Sequence, residues 1–319
     1  MPRTSFTRRR FIAVSAALAG VALWPGRGRG AASPLVEWRG VALGAVASIR
    51  LAHPDRSEGR ALLRRCIAEI ERLERIFSLY RQDSEVCRLN AAGRLELPSL
   101  ELVDLLSRAA EVSAASAGAF DVTVQPLWQR LSAQQEDVDD LLPLVDWRAV
   151  AVDSRRIAFG RPGMAVTLNG IAQGYITDRV AALLRNEGMA SVLLDLGEAR
   201  ALGSRPDGAP WRVGLADPAA AGRIAVRLDL RETALATSGG YGTIFDAAGQ
   251  RNHLIDPRSG RSAPPRRAVS VLAPVATVAD AASTALALLP EGEAPALLRR
   301  LGASAAYIQD NSGLRVLRA

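Results

Sequence analysis

Lysine is absent from this chain: all 40 basic residues are arginine. That absence removes several chemistries together. A pyridoxal Schiff base, a lysine nucleophile and the lysine of a G-x-x-x-x-G-K-[ST] phosphate loop each need a primary amine. Cysteine and histidine are almost as scarce, with two of each. Cys66 and Cys87 share no C-x-x-C spacing, and with His53 and His253 they make no recognisable zinc pattern. An oxidising compartment permits a Cys66–Cys87 disulfide, but the spacing gives it no positive support. Cys66 instead falls on the apolar face of a helix predicted from about Ser57 to Tyr80, beside Leu62, Leu63, Ile67, Ile70, Leu73, Ile76 and Phe77.

Acidic residues are missing from positions 1–30, which hold six arginines. Taking those six from the net charge of +7 leaves +1, so the basic balance is no nucleic-acid footprint and no nucleic-acid partner is expected. The arginines include Arg8, Arg9 and Arg10 in TRRRFI, followed by an apolar run from Ala13 to Leu23 and small residues at Gly30, Ala31 and Ala32. This pattern predicts a twin-arginine export signal over residues 1–32 and delivery to the periplasm. The run falls short of the roughly 20 residues that span a bilayer. No cysteine near the cleavage region suggests a lipoprotein.

What remains, residues 33–319, belongs to a 319-residue chain of 49% hydrophobic content, enough to bury a sizeable core. Strand and helix patterns alternate along it. Hairpins are predicted at Val36 to Leu51 around Gly44 and at Val150 to Phe159, and a helix capped by Ser99 carries Leu102, Leu105 and Leu106 and ends at Gly118. Further strands are expected at Ser191–Leu196, Trp211–Ala216, Ile224–Leu230 and Ala268–Leu272. Helices follow from about Val278 to Leu289 and Ala294 to Leu301, then a closing pair of strands from Ala305 to Leu317. The expectation is a compact mixed α/β (α+β) fold with interleaved layers and no clean linker.

The segment VTLNGIAQGYITD, Val166 to Asp178, reads as a short buried strand through Val166 and Leu168, a glycine turn at Gly170, and an amphipathic helix that runs to Gly188. Amide groups at such a helix start can face phosphate, although the same shape serves as an ordinary strand-to-helix connection. Three other stretches accompany it: GAFDVTVQPLW from Gly118, NHLIDPRSG from Asn252 and VADAASTAL from Val278. In this order the four motifs resemble the ApbE family, from about Trp38 to the C-terminus. The resemblance implies an ApbE-like fold and an FAD:protein FMN transferase, which splits FAD at its pyrophosphate with Mg²⁺ and attaches FMN to a Ser or Thr of another protein. The T-L-N-G-I-A-Q-G turn together with an export signal is similar to the branch that serves nitrous oxide respiration.

The residues themselves leave alternatives open. Asp280 and Thr284 lie four apart, so their oxygens share one helix face and suit a hard cation; equally, Thr277 and Asp280 form a capping-box-like helix start. His253 is either a general base or a hydrogen-bonded structural histidine. Phe120 and Asp121 read as a core aromatic and a strand-edge acid, Tyr80 as the last turn of a helix, and Ser238 to Gly242 as a flexible turn or a close approach to phosphate. The resemblance implies that Asp280, Thr284 and the Gly170 carbonyl hold the metal, and that Tyr80, Ala119, Phe120, Asp121, Thr167, Gln173 and Leu254 bind FAD. His253 or Asp280 then assists proton removal. It further implies an acceptor flavoprotein, membrane-bound with a periplasmic segment. The chain departs from the common family pattern at Thr167 and Gln173, where Asp and Lys are usual. Losing an acid and a base together conserves net charge, and both replacements still offer hydrogen bonds. The alternatives are a non-catalytic periplasmic flavin-delivery protein and a redox flavoprotein using FAD as its own cofactor.

Overall fold

A computed structural model describes residues 33–319 apart from positions 136, 219 and 221; the export signal expected over residues 1–32 lies outside the described residues. Thirteen strands and seven α-helices are described. The first segments are β1 (Leu35–Ala42), β2 (Ala45–Ala52), α1 (Arg56–Phe77), α2 (Glu85–Ala92), β3 (Arg94–Glu96), α3 (Leu100–Ala115) and α4 (Gln125–Ser132). The middle holds β4 (Val150–Val152), β5 (Arg156–Phe159), α5 (Ala172–Asn186), β6 (Ser191–Asp195), β7 (Ala199–Gly203), β8 (Trp211–Ala216), β9 (Ile224–Leu230) and β10 (Ala234–Gly239). The last are β11 (Ala268–Ala273), α6 (Ala276–Leu288), α7 (Ala294–Leu301), β12 (Ala305–Asp310) and β13 (Gly313–Arg318).

Eight strands make the main sheet, in the order β1-β2-β6-β7-β10-β11-β12-β13, with every neighbouring pair antiparallel. The α+β form of the expectation therefore holds. Alternation along β6 shows how the layers are divided, since successive side chains of a strand face opposite ways. Val192 and Leu194 join the core shared with α1, α5 and α6, while Leu193 joins Ala201, Trp211, Val213, Leu215 and Leu230 beneath the β8–β9 ribbon. Helices thus cover one face of the sheet and the ribbon covers part of the other. A small third sheet, β3-β5-β4, carries the 150–159 hairpin.

Two expected boundaries shift for identifiable reasons. Helix α1 starts where Asp55 Oδ1 accepts the amides of Ser57 (2.6 Å) and Glu58 (3.1 Å), and it stops at Phe77 because Ser78 is extended, which leaves Tyr80 beyond the helix. Val166 to Leu168 is not a strand. Its backbone bonds go elsewhere: Val166 exchanges two hydrogen bonds with the Asn90 side chain at 2.8 Å, and Thr167 N–H donates to Val122 O at 2.7 Å. Both cysteines are free thiols; Cys66 is fully buried among the α1 core residues, and burial pushes its thiol up to about 12. Among the described residues no helix is long and apolar enough to cross a membrane.

Candidate active site

Helices α5 and α6 meet at their N-termini through two carboxylates that cap each other's helix. Asp178 of α5 accepts the amides of Ala276 (2.9 Å) and Thr277 (2.8 Å) and the Thr277 hydroxyl (2.6 Å), so α6 is capped from outside and Thr277 is not its N-cap. Asp280 of α6 accepts Gly174 N–H in the first turn of α5 at 2.9 Å. The capping box expected of Thr277 and Asp280 is therefore absent, and the carboxylate sits at the helix start where phosphate was anticipated. Gly174 permits this crossing: a Cβ there would overlap the Ala276 carbonyl and lie 2.8 Å from Thr277 Cα.

A cavity opens beside this junction. Tyr80, Ala119, Phe120, Asp121, Thr167, Gly170, Gln173, His253, Leu254, Asp280 and Thr284, drawn from segments far apart in sequence, all line it. A Cβ on Gly170 would fit closely, 3.1 Å from Thr284 Oγ1 and 3.3 Å from the Phe120 ring. Its φ is not positive, so the tight turn expected at this glycine is not what selects it. Thr284 Oγ1 lies 3.1 Å from Ser238 Oγ, which also pairs with Ser283 Oγ at 2.8 Å. Asp280, Thr284 and Gly170 are thereby gathered on one wall, with oxygen donors of the kind a hard cation takes. Among the described residues no three His, Cys, Asp or Glu side chains converge as a metal site, so a cation held here would rely on few protein groups, as magnesium commonly does.

Other side chains differ from their expected setting. Asp121 is no strand-edge acid; its Oδ1 accepts Thr123 N–H (2.8 Å) and Oγ1–H (2.7 Å) and its Oδ2 accepts Trp147 N–H (3.0 Å), pinning a short 3₁₀ turn beneath Phe120. Tyr80 is half exposed, and its hydroxyl bonds the Asn169 side chain across the cavity mouth. Ser238 and Gly239 end β10, and the turn that follows brings Gly242 against His253, where a Cβ would lie 2.6 Å from the ring. His253 Nδ1 accepts Thr243 N–H at 3.2 Å, which leaves Nε2 carrying the proton of the neutral ring. Burial pushes its pKa down to about 4.

The acids move the opposite way. Burial pushes Asp280 up to about 7 against the hydrogen bond from Gly174, with Asp178 adding to the rise. Two further carboxylates were not among the sequence candidates. Glu198 is buried in the β6–β7 turn, and Asp195 at the end of β6 is pushed up to about 6 by burial, with Arg50 opposing. Burial and the nearby charges of Asp280 and Asp195 hold Glu198 well above the usual carboxylate range. Their sequence context, DLGEAR, resembles an ordinary hairpin turn, and only the tertiary fold shows that it faces the helix junction.

The fold and its lined cavity define a helix-covered antiparallel sheet with a cleft lined by the acids Asp121, Glu198 and Asp280. Sequence comparison gives the class a name: the ApbE family profile matches residues 43–308, and the chain belongs to that family. It is 26% identical to the FAD:protein FMN transferase of Escherichia coli K12, over 93% of this chain and 91% of that protein. It is 30% identical to the FAD:protein FMN transferase of Treponema pallidum, over 81% and 80% respectively. The crystal structure of the apo form of Pseudomonas stutzeri flavinyl transferase ApbE superposes with a TM-score of 0.74 at 26% identity, covering 89% of this chain and 94% of that one.

Proposed function

We propose that this chain is a magnesium-dependent FAD:protein FMN transferase that acts in the periplasm on a membrane-bound flavoprotein exposing a periplasmic Ser or Thr. The observation that supports this most is the convergence of four motifs, scattered from residue 118 to residue 286, on one cavity beside the α5–α6 junction. Asp280, Thr284 and the Gly170 carbonyl would hold Mg²⁺, which when bound would supply positive charge to neutralise the pyrophosphate. Phe120, Tyr80 and Leu254 supply apolar and aromatic surface for the flavin, and Thr167 and Gln173 supply hydrogen bonds in place of the family's usual acid and base.

The acceptor hydroxyl attacks the FMN-side phosphorus and AMP leaves. Proton removal falls to His253 or Asp280. Because the Thr243 amide occupies Nδ1, His253 first presents Nε2–H to the substrate as a donor, and it becomes a base only once that amide is released. Positioning and electrostatics supply most of the rate, as in other phosphoryl transfers. The export signal and the T-L-N-G-I-A-Q-G turn favour an acceptor in nitrous oxide respiration. In the alternative reading, a flavin-delivery protein, FAD stays intact with metal and acceptor present. Incubation of mature protein with FAD, Mg²⁺ and a candidate periplasmic flavoprotein domain separates the two by the appearance of AMP and of an FMN adduct.

A further inference from the structure

Glu198 is a buried carboxylate of the cavity to which the transfer chemistry gives no task. It is 5% exposed, and its Oε2 has no hydrogen-bond partner among the described residues. The Thr237 backbone amide donates to the carboxylate, and its nearest charged neighbours, Asp280 and Asp195, are both acids. A buried carboxylate oxygen left without a partner costs more than an ordinary hydrogen bond returns, so Glu198 takes up either a proton or a positive ligand that the cavity admits. The side chain against the turn is Gln173, whose Nε2 would lie 2.6 Å from a Cβ on Gly197, and it is neutral. No lysine exists in the chain to fill the role.

We infer that Glu198 is a second carboxylate of the divalent-cation site formed by Asp280, Thr284 and Gly170. The inference rests on the reading of those three residues as that site. One or two carboxylates plus substrate phosphate is the usual protein share of a magnesium site, and the second carboxylate lets this cavity take up the cation before FAD arrives. Gln173 then matters through what it lacks: an ammonium at position 173 would stand beside Glu198 and compete with the cation.

The test is cation binding by the folded protein, measured with Mn²⁺ by electron paramagnetic resonance and with Mg²⁺ by calorimetry, in the absence of FAD and again with ADP as a pyrophosphate probe. Wild type, Glu198→Gln, Gln173→Lys, the double variant and Asp280→Asn are compared, with circular dichroism as the check on folding. Glu198→Gln is expected to weaken cation binding about tenfold or more, the scale of losing a supporting group at a metal site. Gln173→Lys is expected to weaken it comparably in wild type and to add nothing in the Glu198→Gln background. Wild-type affinity in Glu198→Gln with loss in Asp280→Asn would overturn the role of Glu198 and leave the cation site standing. Wild-type affinity in Asp280→Asn, or no binding by wild type under either condition, would overturn the cation site itself. Should Glu198→Gln not fold, unchanged affinity in Gln173→Lys contradicts the inference.

Discussion

His253 illustrates how one side chain's surroundings fix both its charge and its contribution to stability. Its folded pKa, about 4, lies below the ordinary value of 6.5, so between those limits the unfolded chain binds more protons than the folded one. The stability that neutral His253 contributes is therefore present above about pH 6.5 and is lost as the pH falls toward 4. Melting curves of wild type and His253→Gln should accordingly differ most at pH 7.5 and converge as the pH approaches 4; a constant difference would show that the ring is not buried in its neutral form. Asp280 and Thr284 carry the metal reading. Asp280→Ala is expected to lower transfer by about a hundredfold or more, and Thr284→Ala to lower it less while raising the Mg²⁺ requirement. If Asp280 served only the Gly174 amide, folded Asp280→Ala protein would keep near-wild-type turnover and lose about 1 kcal/mol of stability. Thermal melts beside activity assays distinguish the outcomes.

At the scale of elements, the junction of α5 and α6 places the site. Asp178 closes α6 and also pairs with Arg200 at 3.0 Å, whose side chain is almost wholly buried. Asp178→Ala removes a cap and strands a buried guanidinium, and a loss of about 3 to 5 kcal/mol is expected in chemical denaturation. Gly174→Ala should cost about 1 to 3 kcal/mol by overpacking, because its Cβ would meet the α6 backbone and not a movable side chain. A loss below 0.5 kcal/mol would mean the helices can separate freely. Elements with strong periodicity were legible in the sequence: α7 matches its expected bounds, and α1, α3 and the β1–β2 hairpin fall within a few residues of theirs. Strands β7 and β10 were not anticipated, since ARALG and ALATSG are short, alanine-rich and polar-ended, and their burial comes from sheet neighbours on both sides. Helix α2 was also missed: it is eight residues long, opened by Ser84 and closed by Gly93 in the left-handed region. Val166–Leu168 looked like a strand because its residues alternate in the expected way, yet the backbone of Val166 is taken up by the Asn90 side chain and not by a strand.

For the whole molecule, the sequence named the cavity's contributors, and the fold explains why they needed one another. The candidate site residues come from loops and helix ends more than 200 positions apart, so their meeting is a property of the eight-stranded sheet and its helical layer. What the sequence withheld was Glu198, an acid in a hairpin turn with nothing local to mark it. Export belongs to this scale as well: replacing Arg8 and Arg9 with Lys is expected to leave the protein in the cytoplasm, as fractionation and immunoblotting would show, and unimpaired export would remove the twin-arginine reading. The most direct measurement is made on mature protein mixed with FAD, Mg²⁺ and the periplasmic domain of a candidate flavoprotein, followed by intact-mass analysis of the acceptor and chromatography of the nucleotides. The account predicts one FMN added through a Ser or Thr, with AMP released in equal amount and both products formed about a hundredfold or more slowly by Asp280→Ala. Intact FAD and unmodified acceptor, with wild type binding both FAD and Mg²⁺, would contradict it and leave a protein that only carries flavin.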